Sequence, residues 1–239
     1  MLSEDAFAAW LAMVGAPSRS GELASLIGEN VAKIRAQRLR SRVSWSVVVA
    51  VSRALGRNPV RDLQGFPVFA AVDVVQPTSR EALSQVQVED VLLEISKRRR
   101  SEIARMVGAA GYELQAFPFE ESTRYWFDAM DANGTLRGRL VEATTLDKTS
   151  LSRAISANTL SPEQAVTAAV MAGGTPTVGL VIIGLVSAAE AGWAPTVRDT
   201  ALIECSDTDL IDLADARLRT LRRKIRADLV EANYWKTLG

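Results

Sequence analysis

Residues 21–63 read GELASLIGENVAKIRAQRLRSRVSWSVVVAVSRALGRNPVRDL, and residues 138–180 read GRLVEATTLDKTSLSRAISANTLSPEQAVTAAVMAGGTPTVGL. A shift of 117 positions, which carries Gly21 to Gly138, lays the second stretch on the first without a gap. It also sets Leu23 on Leu140, Ser44 on Ser161, Gly56 on Gly173, Pro59 on Pro176 and Leu63 on Leu180. Apolar character persists between these identities: Ala24 meets Val141, Ile34 meets Leu151, Val43 meets Leu160, Val51 meets Ala168 and Leu55 meets Ala172. The matches fall where backbone conformation and core packing dictate the residue. That favours an internal repeat over two helical stretches of similar composition.

The first copy reads as a series of short helices. Gly21 to Ile27 is helix-permissive and stops at Gly28, a residue suited to the left-handed turn that ends a helix. Asn30 is an expected N-cap for a second helix, Val31 to Gln37. Ile34 is placed to lean back on Leu23 and Ile27. After a basic loop, Ser44 caps a third helix carrying Val47, Val48, Val51 and Leu55 at helical spacing. Gly56 ends it, and Pro59 with Leu63 begins a short fourth.

This pattern resembles the lambda-repressor/Cro-type helix-turn-helix of phage and bacterial transcriptional regulators. Leu23-Ala24, Gly28, Ile34, Ser44 and Leu55-Gly56 carry the resemblance in the first copy. In the second copy Leu140-Val141, Leu151, Ser161-Pro162 and Ala172-Gly173 carry it, with Thr145 in place of the turn glycine and Ala172 in place of the leucine. Pro162 suits a first helical position. Together the copies cover about half the chain. The fold expected from the resemblance is mainly α: two tandem units of this kind, each followed by a long helix, with at most short strands.

Composition restricts the class. The 239 residues are 48% hydrophobic and 23% charged, a globular balance rather than a disordered one. Lys+Arg and Asp+Glu are equal at 28 each, so placement matters more than net charge. Lys33, Arg35, Arg38, Arg40 and Arg42 share one ten-residue window with no acid in it. Further basic runs lie at Lys97–Arg100 and Arg217–Arg226, whereas acid gathers between Glu204 and Asp215. A local basic stripe is the electrostatic footprint of a phosphate-binding surface even on a neutral protein. The two later runs read as solvated helix faces or phosphate contacts.

Cys205 is the single cysteine, which rules out an internal disulfide and points to a reducing cytoplasm. There is no histidine, so His-based catalysis and most zinc sites are excluded. Met1 to Asp5 lacks the basic run of a signal peptide. The longest apolar run, Val178 to Val186, is about half the length that spans a bilayer and reads as a buried helix. No phosphate loop, paired-carboxylate motif, metal-ligand spacing or nucleophile signature is visible, so no enzymatic activity, cofactor or metal is expected.

In chain order, Ser3 to Val14 is expected to be a first helix with Phe7, Trp10, Leu11 and Val14 on one face. Residues 1–77 form an N-terminal DNA-binding segment that includes a candidate strand at Val68–Val72. A helical connector follows at 78–120, with a long helix or helix pair from Thr78 to Ala109 and a brief strand at Tyr112–Phe117. A second unit of the same type occupies 121–192, with Tyr125, Trp126, Phe127 and Met130 in its first helix and another helix over Val178–Ala189. After a linker at Gly192–Thr200, the segment 193–239 is a long helix capped by Ser206-Asp207. Leu210, Leu213, Leu218, Leu221, Ile225 and Leu229 recur along it.

The resemblance implies a function and a set of residues. In such regulators the second helix of the motif lies in the major groove with its N-terminal residues toward the bases. The base-facing set in the first copy is then Asn30, Val31, Lys33, Arg35 and Arg38. In the second it is Lys148, Thr149, Ser150, Ser152 and Arg153. Ser18, Arg19 and Ser20 correspond to the hydroxyls and amides set against a phosphate, and Arg40 and Arg42 to phosphate contacts that position without specifying. Arg and Lys suit guanine, Asn suits adenine and hydroxyls suit either base or phosphate.

The expected partner is a double-stranded DNA operator, bound in the cytoplasm at the nucleoid, with no membrane. The implied role is a repressor, such as a phage immunity repressor that maintains lysogeny in an actinobacterial host. One chain gripping an asymmetric site with two unlike heads and a homodimer joined through the C-terminal helix both remain open. The competing reading is an antitoxin-like or adaptor protein whose second half binds a partner protein.

Overall fold

The computed structural model describes residues 1–69 and 76–238, with side chains to residue 230. The chain is mainly helical, and no strand occurs among the described residues. Leu2 and Val43 form an isolated antiparallel bridge. The helices are α1 (Glu4–Val14), α2 (Ser20–Ile27), α3 (Val31–Leu39), α4 (Trp45–Ala54), α5 (Pro59–Leu63), α6 (Ser79–Ser84), α7 (Val88–Arg98) and α8 (Glu102–Ala109). They continue as α9 (Ser122–Met130), α10 (Leu136–Ala143), α11 (Lys148–Ser156), α12 (Pro162–Met171), α13 (Pro176–Ile182), α14 (Val197–Glu204) and α15 (Asp207–Leu238).

Two compact units emerge. One holds Met1–Ser84 and Pro118–Pro195; the other holds Gln85–Phe117 and the chain from Thr196 onward.

In the first unit the helix boundaries repeat at the 117-residue offset. Helix α3 maps onto α11 and α4 onto α12 at both ends, while α1, α2 and α5 fall within two residues of α9, α10 and α13. Side chains start these helices in the expected manner. Asn30 accepts from the Ala32 amide and Asp147, its counterpart, from the Thr149 and Ser150 amides. Ser44 accepts from the Ser46 amide and Ser161 from that of Gln164. Such a cap is worth about 1 kcal/mol. Even an unusual backbone feature recurs: Ser41 and Asn158 follow their helices in the left-handed region, at φ 49° and 53°.

The cores of the two halves match in the same register. Leu23 and Leu140, Ile34 and Leu151, Val51 and Ala168, and Leu63 and Leu180 are all buried. Burying each larger side chain favours the fold by about 1.5–3 kcal/mol. The first half adds an aromatic cluster of Trp10, Trp45, Phe66 and Phe69, with ring centroids 4.9–6.0 Å apart. The second half substitutes close backbone packing. A β-carbon on Gly179 would lie 2.3 Å from the Ala165 carbonyl oxygen, so only glycine lets α13 approach α12 so closely. The halves meet where the Trp45 amide donates to Glu163 (3.3 Å), and where Arg53 grips Glu190 through two contacts of 2.7 Å.

The second unit has its own anchors. Arg98 spans the end of α14 and the start of α15, donating to the carbonyls of Leu202, Ile203 and Cys205 and to Asp207 while also pairing with Glu94. Its guanidinium therefore neutralises the carbonyl end of one helix and the acidic start of the next. Buried Asp90 accepts from the Tyr112 hydroxyl and the Gln115 amide. Arg198 donates to the Gln85 and Gln115 carbonyls and lies 4.4 Å from the centre of the Phe117 ring.

Several expectations need correction. The stretch Thr78–Ala109 is three helices, because Gln87 and Asp90 form a new capping box and Arg100, at φ 55°, breaks the chain before the Ser101 cap. No single long helix therefore follows the first half. Tyr112–Phe117 is irregular rather than a strand: its polar groups go to Asp90 and Arg198. Helix α13 stops at Ile182, before Gly184 turns left-handed, and α14 begins within the expected linker. The candidate strand at Val68–Val72 falls largely outside the described residues.

Candidate nucleic-acid interface

Burial of Ile34 fixes which way α3 faces. At 100° per residue, the side opposite Ile34 carries Ala32, Ala36 and Leu39, with Arg35 on one flank of it. Ala32, Arg35 and Leu39 are exposed, Leu39 to 78%. Val31 flanks this surface at the helix start and is also exposed. Lys33 lies on the other flank, where its ammonium contacts Glu29 at 3.0 Å and holds that carboxyl below its ordinary range. Arg35, Arg40 and Arg42 are exposed and have no acidic partner among the described residues.

Arg38 is placed differently. Its guanidinium forks onto Glu4 (2.6 and 2.9 Å), donates to the Ser18 carbonyl and to Ser20 Oγ, and sits 5.9 Å from the centre of the Phe7 ring. Its side chain is 17% exposed. It ties α3 to α1 and to the turn before α2. Of that turn, Ser18 and Arg19 are exposed, Ser20 is half-buried, and Arg19 reaches Glu22 at 3.6 Å. Asn30 spends its side-chain oxygen on the cap.

Helix α11 is oriented by buried Leu151 and Ile155. The opposite side presents Thr149, Arg153 and Ser156, with Ser152 on its flank and Lys148 at the helix start, all exposed. Ser150 is half-buried and its hydroxyl donates to Asp147 at 2.7 Å. The Ser150 amide and hydroxyl together hold the Asp147 carboxyl below its ordinary range. Ile155 stands at the position of Arg38. Here apolar burial, helped by a hydrogen bond between Thr123 and Asn158, replaces the ion pair that secures α3.

The two surfaces are thus equivalent in position and unlike in chemistry. Ala32, Arg35, Ala36 and Leu39 correspond to Thr149, Ser152, Arg153 and Ser156. No family model, curated protein or solved structure matches this chain. The site is therefore read from its own geometry.

Sequence reasoning missed Ala32, Ala36, Leu39 and Ser156. The signal was present in the spacing of each from Ile34 or Leu151. Among the described residues no cluster of three or more acidic or thiol side chains is arranged to hold a metal ion, and no helix is long and apolar enough to cross a membrane.

Proposed function

We propose that the chain is a sequence-specific double-stranded-DNA-binding transcriptional repressor of the lambda-repressor/Cro kind, with two unlike helix-turn-helix heads in one polypeptide. Helices α2–α3 form one head and α10–α11 the other, and α3 and α11 enter major grooves. The observation that carries the reading is the recurrence of five helices at one offset, each copy turning an exposed, arginine-bearing face of its third helix outward. A role in phage immunity and a cytoplasmic, nucleoid-bound location belong to the same proposal.

Side-chain chemistry assigns the roles. In the first head Arg35 forks onto a guanine edge while Ala32 and Leu39 meet thymine methyls. Arg40, Arg42 and Arg19 take phosphates. Arg38 positions α3 rather than touching DNA. In the second head Arg153 reads guanine from the next helical slot, and Thr149, Ser152 and Ser156 supply hydroxyls. Because the faces differ, the two half-sites differ, and the operator of one chain is asymmetric.

The test is a gel shift and footprint on the DNA upstream of the gene with Arg35→Ala and Arg153→Ala. Each substitution should cost about 1–3 kcal/mol and relax preference in a different half-site. Uniform loss across all sequences, or no binding at all, would refute the proposal. A second reading, a protein-binding adaptor, draws on the exposed apolar residues of α15.

A further inference from the structure

We infer that α15 joins two copies of this chain as an antiparallel helix pair centred between Leu218 and Leu221. This goes beyond DNA binding and stands without it. Three features of the helix support it, each read from a different property.

The first is an unpartnered apolar stripe. Leu210, Ala214 and Arg217 of α15 are buried, and the helix packs on α7 along this side. Beside that buried line run Ile211, Leu218, Leu221, Ile225 and Leu229, which stay 38–58% exposed. Ile211, Leu218 and Ile225 are spaced by seven, and Leu221 lies three residues after Leu218, the spacing that a two-helix coiled coil uses along its seam. The stripe runs for about five turns, and a contiguous exposed apolar strip of that kind marks an interaction surface.

The second is the order of charge along the helix. Asp207, Asp209, Asp212 and Asp215 occupy the first turns; Arg219, Arg222, Arg223 and Arg226 follow as an exposed block. Arg219 pairs with Asp215 at 2.6 Å, whereas Arg222 and Arg226 have no acidic partner among the described residues. The four arginines at three- and four-residue spacings mildly repel one another on one face, and an acid brought from outside would relieve them.

The third is register, which selects both orientation and occupant. Turned antiparallel about the midpoint of Leu218 and Leu221, two copies set the exposed Leu218 against the partner's exposed Leu221. The same register brings Asp215 beside the partner's Arg222, both flanking the leucine seam. A parallel pair would lay acid on acid and arginine on arginine. An anionic lipid surface would meet Asp212 and Asp215 on the same face as the arginines. A second copy is the occupant whose charge order complements this one, and the contact is isologous and closed.

Sedimentation of the full chain at micromolar concentration tests this, with an expected mass twice the 25.8 kDa of one chain. Leu218→Glu with Leu221→Glu should give a monomer of unchanged helicity by circular dichroism. Asp215→Arg and Arg222→Asp should each raise the dissociation constant tenfold or more, and their combination should restore it. In a Cys205→Ser background, separate Leu218→Cys and Leu221→Cys chains, mixed and oxidised, should crosslink to each other in preference to themselves. A monomeric wild-type chain, a dimer that survives the double glutamate substitution, or self-crosslinking at Leu218→Cys would each overturn the inference. So would co-sedimentation with anionic vesicles by a chain that stays monomeric.

Discussion

Arg38 offers the sharpest test of how the first head is built. The resemblance assigns it to DNA, whereas its position assigns it to the fold. Replacing it with alanine removes a forked pair to Glu4, a hydrogen bond to the Ser18 carbonyl and the cover over Phe7. Exposed ion pairs contribute at most about 1 kcal/mol, and breaking a fully buried one costs about 3–5 kcal/mol. With side chains 17% and 30% exposed, this pair lies between those limits. Arg38→Ala should therefore lower stability by about 2 kcal/mol in urea denaturation, and a cycle with Glu4→Gln should return a coupling near 1–2 kcal/mol. On the proposed reading, the salt dependence of DNA affinity supplies the second measurement. Each lost phosphate contact reduces the slope of log affinity against log salt by about 0.9. Arg38→Ala should leave that slope unchanged, while Arg40→Ala or Arg42→Ala should reduce it. Undiminished stability together with a reduced slope in Arg38→Ala would show that the side chain touches DNA, and the structural assignment would fail.

Other substitutions probe the rest of the frame. Gly179→Ala forces a methyl group into the Ala165 carbonyl, so the midpoint of thermal unfolding should fall by several degrees or the chain should fail to fold. An unchanged midpoint would mean that α12 and α13 are not so close. Glu190 is held down at about 2, chiefly by its hydrogen bonds from Arg53, against an ordinary 4.5. Its folded value is depressed, so the stability it contributes is complete above about pH 4.5 and is lost as pH falls toward 2. Arg53→Ala should cost about 1 kcal/mol at pH 7 and flatten the acid limb of the stability curve. Asp147→Ala removes the cap that starts α11 and should cost about 1 kcal/mol by denaturation. Retained stability in that variant would argue against the cap.

How much of this was written in the sequence depends on the range of the interaction. Local chemistry was legible. Asn30, Ser44 and Ser161 cap the helices that their side chains announce, and Pro162 opens α12 at the position where proline fits. The repeat was legible too, since Gly, Pro and core positions answer to backbone and packing rather than to surface drift. What the sequence did not show was side-chain commitment over distance. Nothing near Arg38 reveals that Glu4, 34 residues away, takes its charge, or that Arg98 in a basic run seals the α14–α15 junction. A basic run states how many charges are present, and only the fold separates those turned to solvent from those already spoken for. The outward residues are a different case: the outer side of a helix is defined by what its inner side touches, and the spacing from Ile34 and Leu151 already marked it. Once Ile34 and Leu151 fix the inner sides, small and apolar Ala32 and Leu39 become as much part of the candidate surface as Arg35. On the proposed reading the two units then differ in what they recognise, because Thr149 and Ser156 occupy those places in the second.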